Sequence, residues 1–196
     1  PGVNIKRHPL HGRNFEYFSE DPVLAGQMAK AYIEGVQGGG VGVCLKHFCC
    51  NNLEYDRLHQ SSDVDERPLH EIYYAPFAIA CEAKPVSVMC SYNRVNGTYA
   101  SEYKQGFDYL RNACGFDGAI FSDWDAVRDR AAAARAGLDL EMPFNQGNYE
   151  KLCADYRAGK LPDTALDACA QRVIDLVCRC KEMRKDARVR TSEAER

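Results

Sequence analysis

Short apolar runs recur five times along the chain, at residues 3–7, 41–47, 85–92, 118–123 and 138–142, and each turns polar only at its C-terminal end. Runs of this kind, bounded by Gly, Pro or Asn, predict buried strands. Between them the apolar positions move to helical spacing. Leu24, Met28, Ala31, Tyr32 and Gly35 line one face up to the triple glycine at 38–40, which predicts a helix stopped by glycine. Ser19-Glu20-Asp21-Pro22 supplies its start, with Ser19 as cap, acids at the positive end of the dipole and Pro22 in the first turn. Further helices are predicted over 66–83 with a kink at Pro76, over 103–114, through the alanine-rich stretch to Arg135, and near 148–158 and 163–184. Asn96-Gly97 signals a turn. The charged stretch 185–196 reads as a tail or linker behind one domain at 1–184.

Strand and helix alternate with crossovers long enough for parallel pairing, so the pattern predicts an α/β fold. Polarity gathered at the same end of every strand favours a partial TIM-like (β/α)8 barrel, about five parallel strands with helices outside and one functional mouth. A closed barrel takes roughly 250 residues, so five strands make only part of one. An open flavodoxin-like sheet is the alternative. It is weakened by the lack of a glycine-rich phosphate loop after any predicted strand.

Composition narrows the function classes. The chain is 45% apolar and 27% charged, with a formal net charge of −3. That gives no electrostatic case for nucleic acid or an anionic membrane, and no apolar run approaches the roughly 20 residues that span a bilayer. Ten cysteines fall mostly in predicted strands and helices and lack zinc spacing. They read as free thiols of a reducing, cytoplasmic compartment, with no metal and no cofactor implied. A start at Pro1, with almost no lead-in before the first strand, reads as the interior of a longer protein.

The strand ends collect the candidate chemistry: Arg7 and His8 with loop residue Arg13, then Lys46-His47, then Met89 and Tyr92, then Asp123-Trp124, then Glu141-Met142. A carboxylate at a barrel mouth, ringed by cations, an imidazole, a phenol and an indole, suits a sugar pocket. Cations donate to hydroxyls, aromatic rings stack on C–H faces, and the carboxylate stays ionised as a nucleophile must. The plainer alternative makes Ser122 or Asp123 the cap of the next helix and the cations rim salt bridges. Arg57 alone reads as surface charge, and Asp63 and Asp65 as helix caps.

Several blocks then occur in order: Gly12-Arg13-Asn14-Phe15-Glu16-Tyr17-Phe18-Ser19-Glu20-Asp21-Pro22, Lys46-His47-Phe48, Asp65-Glu66-Arg67, Val88-Met89-Cys90-Ser91-Tyr92-Asn93, Ser122-Asp123-Trp124 and Ala136-Gly137-Leu138-Asp139-Leu140-Glu141-Met142-Pro143. Together they resemble glycoside hydrolase family 3, on its β-glucosidase/β-xylosidase side. The resemblance implies an N-terminal barrel followed by an α/β-sandwich domain, and retaining hydrolysis of terminal β-D-glucosyl or β-xylosyl residues. It makes Asp123 the catalytic nucleophile and Trp124 the platform beside it. Arg13, Lys46, His47 and Arg57 become the hydroxyl-binding set, with Met89 and Tyr92 on the pocket wall.

The resemblance also implies parts that this stretch lacks: a first barrel segment and a second domain carrying the acid/base Glu, both supplied in cis. Glu16, Glu54 and Glu141 are candidates for that acid only if the second domain has been replaced. Cys49-Cys50-Asn51-Asn52 after Lys46-His47-Phe48 disfavours the N-acetylglucosaminidase branch. Asp125 stands where a Gly is usual, Cys114 where a Trp is usual, and Phe144 where a Gly often follows Met-Pro. The alternative function is a non-catalytic carbohydrate-binding remnant or an inactive fragment.

Overall fold

The computed structural model describes residues 1–184; the predicted tail lies outside them. In chain order the elements are α1 (Pro22–Gly38), β1 (Cys44–Phe48), β2 (Ser61–Ser62), α2 (Glu66–Pro68), α3 (Ala75–Cys81), β3 (Ser87–Cys90), β4 (Arg94–Val95), β5 (Thr98–Tyr99), α4 (Lys104–Asp108), β6 (Ala119–Trp124), α5 (Arg130–Ala136), β7 (Leu140–Met142), α6 (Gln146–Arg157) and α7 (Asp163–Met183). A π-helical turn, Leu69–Tyr74, joins α2 to α3 ahead of Pro76, and another, Tyr109–Ala113, extends α4. The helix over 66–81 is therefore continuous, with its irregularity just before the proline that cannot donate a helical bond.

Four strands pair in parallel in the order β1-β3-β6-β7, the α/β architecture of a partial barrel. Of the about five parallel strands expected, four form in this sheet among the described residues. Residues 3–7 form no strand; Gly2 alone bridges, in parallel, to Tyr17 and Lys46. Backbone pairing stops there because a side chain takes over. Asn4 Nδ2 donates to the His47 carbonyl at 3.0 Å while its Oδ1 accepts from His47 N–H at 2.8 Å. The helix start is corrected too: the cap of α1 is Asp21, which accepts from Leu24 N–H at 2.8 Å, while Ser19 Oγ accepts from Asp21 N–H.

Register explains which side chains reach the functional side. Leu45, Val88 and Ile120 are aligned across β1, β3 and β6 and fully buried, in one core with Ala29 and Ile33 of α1 and Phe77 of α3. Their neighbours Lys46, Met89 and Phe121, also aligned, are only half-buried and point to the opposite face. Gly118 is required where β6 begins, since a Cβ there would lie 2.3 Å from the Val86 carbonyl oxygen. β2, β4 and β5 form a second small sheet beside the mouth. The Asn96-Gly97 turn joins β4 to β5 with φ of 49° and 85°, the paired positive angles of a type I′ hairpin.

Candidate active site

Asp123 lies near the end of β6 and is 6% exposed. One carboxylate oxygen, Oδ1, accepts from the Tyr92 hydroxyl at 3.0 Å and from Trp124 N–H at 2.7 Å. The other, Oδ2, is buried and has no hydrogen-bond donor among the described residues. Leaving a buried acceptor unmet costs about 1–3 kcal/mol, which ordinary folded structure avoids. The capping alternative fails: the next helix, α5, is capped by Asp129, whose side chain accepts from Ala132 N–H at 2.9 Å.

A bulge delivers two neighbours at once. The β1–β3 register slips between Lys46 and Phe48, so the strict alternation of a strand is broken there. Phe48 thereby turns to the helices, packing on Tyr74 and Phe77. Lys46 and His47 both turn toward Arg13 and Glu16. Lys46 Nζ donates to Glu16 Oε2 at 2.8 Å, and Arg13 Nε donates to Glu16 Oε1.

His47, with only 1% of its side chain exposed, sits between Arg13 and Tyr17. Its Nε2 is 2.8 Å from Arg13 Nη2 and its Nδ1 3.1 Å from the Tyr17 hydroxyl. A guanidinium only donates, so Nε2 must accept and the ring proton sits on Nδ1. Burial, reinforced by Arg13 and Lys46, pushes the imidazole down to about 3. His47 is thus neutral, and its 3.5 Å approach to Asp123 Oδ2 is no ion pair. Arg13 Nη1 stands 3.9 Å from the same oxygen.

The remaining predicted residues close the same mouth. Arg57 stacks its guanidinium over the Tyr92 ring, 4.7 Å from the centroid, and donates to Glu54 Oε2 at 2.8 Å. Burial first, then the Asp123 charge, pushes the Tyr92 phenol up to about 12, so it remains a donor to the carboxylate. Met89 shares its register position with Lys46. Trp124 projects outward, 62% exposed. Asp125 has φ of 58°, the left-handed region that explains a usual glycine and that Asp tolerates better than most residues.

The arrangement therefore unites Asp123 with Arg13, Lys46, His47, Arg57, Met89, Tyr92 and Trp124. Arg7 goes elsewhere, donating to the Tyr73 hydroxyl. Three supporting residues escape a reading by strand ends: Asn4, which grips the His47 peptide, Tyr17, and Glu16, whose burial is outweighed by the Arg13 and Lys46 bonds so that it stays below the usual carboxylate range. Of the three, the sequence reading singles out only Glu16, and there as a candidate acid rather than as a holder of cations. Glu54 and Glu141 are committed as well, the second accepting from Asn148 and facing Arg130.

Residues 1–176 match the family model described as the glycosyl hydrolase family 3 N terminal domain. The chain belongs to glycoside hydrolase family 3. Within the family, it is 47% identical over 189 residues to thermostable beta-glucosidase B of Acetivibrio thermocellus, covering 95% of this chain and 25% of that one. It is 49% identical over 179 residues to an exo-alpha-(1->6)-L-arabinopyranosidase of Bifidobacterium longum, covering 90% and 24%. The solved structure of beta-glucosidase 3B from Thermotoga neapolitana in complex with glucose superposes with a TM-score of 0.89 at 41% identity, over 94% of this chain and 28% of that one. The chain thus spans about a quarter of the length of the curated relatives it matches.

Proposed function

We propose that this chain carries the nucleophile side of a retaining β-glucosidase active site. The supporting observation is Asp123, with Oδ1 pinned by two donors and Oδ2 buried, unmatched and flanked by Arg13 and neutral His47. The free oxygen attacks the anomeric carbon as the bond to the leaving oxygen breaks, giving a glycosyl ester on Asp123. Water then cleaves that ester with net retention. Arg13, Lys46, His47 and Arg57 bind the sugar hydroxyls, and Trp124 offers its indole face to the ring or its leaving group. Glucose is the first reading of the substrate, because the relatives are largely beta-glucosidases. The arabinopyranosidase relatives make a pentopyranose, xylose included, the natural competitor.

Retention needs a second carboxyl about 5–5.5 Å from the first. The glutamates grouped around this mouth, Glu16, Glu54 and Glu141, are each tied to Arg, Lys or Asn donors. We therefore place the acid/base Glu in a second domain supplied in cis, outside residues 1–184. Protonation of the leaving oxygen is worth typically 10²–10⁴-fold, so residues 1–196 by themselves should hydrolyse cellobiose poorly. A 2-fluoroglucoside with a dinitrophenolate leaving group needs no such proton. Incubated with it, the chain should gain one fluoroglucosyl group, mapped by mass spectrometry to the peptide holding Asp123. Label elsewhere, or sugar binding without label, overturns the enzymatic reading in favour of a carbohydrate-binding one.

A further inference from the structure

Glu54 and His11 take no part in the chemistry above, yet both are built into its wall. Glu54 Oε2 accepts from Arg57 Nη1 at 2.8 Å, and its Oε1 accepts from Asn51 Nδ2 at 3.4 Å. The same Oε1 faces His11 Nε2 at 3.7 Å, where the histidine side chain is only 1% exposed. The Arg13 backbone N–H donates to His11 Nδ1 at 3.3 Å, so the proton of the neutral ring sits on Nε2, on the Glu54 side. His11 also packs on Tyr17, 5.7 Å between centroids, and the Tyr17 hydroxyl meets His47. One buried imidazole thus packs between the loop carrying Arg13 and the loop carrying Arg57, its Nε2 making no hydrogen bond among the described residues.

We propose that Glu54, backed by His11, is a positioning residue that holds the Arg57 guanidinium over the Tyr92 ring and so sets the donor that fixes Asp123. The assignment rests on the reading of Asp123 as the nucleophile. Arg57 has 40% of its side chain exposed, so packing alone does not fix it. Two holds do: the Glu54 carboxylate in its plane and the Tyr92 face beneath it. A cation over the ring withdraws electron density and strengthens the phenol as a donor, here to Asp123 Oδ1. The opposite wall repeats the device, with Glu16 gripping both Arg13 and Lys46. A partly exposed ion pair contributes little to stability, so loss of Glu54 should disturb geometry more than folding.

Two measurements on the full chain test this. In NMR spectra the Arg57 Nε–H signal, identified by its loss in Arg57→Lys, should be moved upfield by the Tyr92 ring. In Glu54→Ala that displacement should vanish, and in Glu54→Asp part of it should remain. The rate of labelling at Asp123 by the activated 2-fluoroglucoside should fall about tenfold to a hundredfold in Glu54→Ala, the scale of a misplaced group. It should fall little further when Glu54→Ala is added to Arg57→Ala. An Arg57 signal still ring-shifted in Glu54→Ala, or effects of the two substitutions that simply multiply, overturns the proposal. If the wild-type chain takes no label while Glu54→Ala still frees Arg57 from the ring, the positioning contact stands and the nucleophile reading falls.

Discussion

Two buried aspartates sixteen residues apart, Asp123 and Asp139, show how one side chain serves opposite ends. Asp139, immediately before β7, has a fully buried side chain and every oxygen matched. Its Oδ2 accepts from Arg111 Nη2 at 3.1 Å and from Ile120 N–H at 2.7 Å, and its Oδ1 from Arg172 Nε at 2.7 Å. It ties α7, the turn after α4 and β6 into one unit. Asp123, three residues beyond Ile120 on the same strand, keeps one oxygen unmatched. A satisfied buried charge holds a fold together, whereas the open oxygen of Asp123 fits the nucleophile role proposed for it.

Substitution should separate the pair most sharply in activity. Asp123→Asn should cut fluoroglucoside labelling on the order of 10⁴-fold or more, while denaturant unfolding shows stability unchanged or raised by about 1 kcal/mol. Asp139→Asn should do the reverse. It leaves two arginines without their buried partner and should cost about 3–5 kcal/mol, with labelling per folded molecule nearly intact. Equal destabilisation by the two changes would erase the contrast.

A smaller effect comes from acid. His47 binds its proton far less readily in the folded chain, near 3, than in the unfolded one, near 6.5. The unfolded state therefore takes up the extra proton, and stability falls as pH drops through that window, by about 1.4 kcal/mol per unit for this one group. Urea melts of wild type and His47→Gln between pH 6 and 4 should diverge, with the flatter profile in the variant. The smallest effect lies next to Asp123. Asp125→Gly relieves a φ of 58° and should stabilise the chain by about 0.5 kcal/mol in the same melts.

Strand-end polarity made Asp123-Trp124, Lys46-His47 and the single mouth legible in the sequence, because burial of the strand bodies leaves polar residues only where the ladder ends. Arg57 was legible only through family resemblance, since nothing local distinguishes it from surface charge. What stayed hidden depends on contacts between distant residues. The bulge at Lys46–Phe48 has no residue signature, and a strict alternation would send His47 to the helix side. Asn4 looked like part of a strand because its neighbours are apolar, yet its amide replaces the ladder by gripping a peptide 43 residues away. Glu16 and Glu54 carry the same side chain as a general acid; only their partners reveal that both are holders of cations.

The indole next to Asp123 is the sole tryptophan in the chain, and it stands largely in water. Its emission therefore originates at one place, the lip of the pocket, with no background from elsewhere. If the proposed sugar binds there, its arrival should be visible as a change in colour and intensity without any added dye. The molecule carries its own optical gauge of occupancy, usable even on variants that no longer turn over.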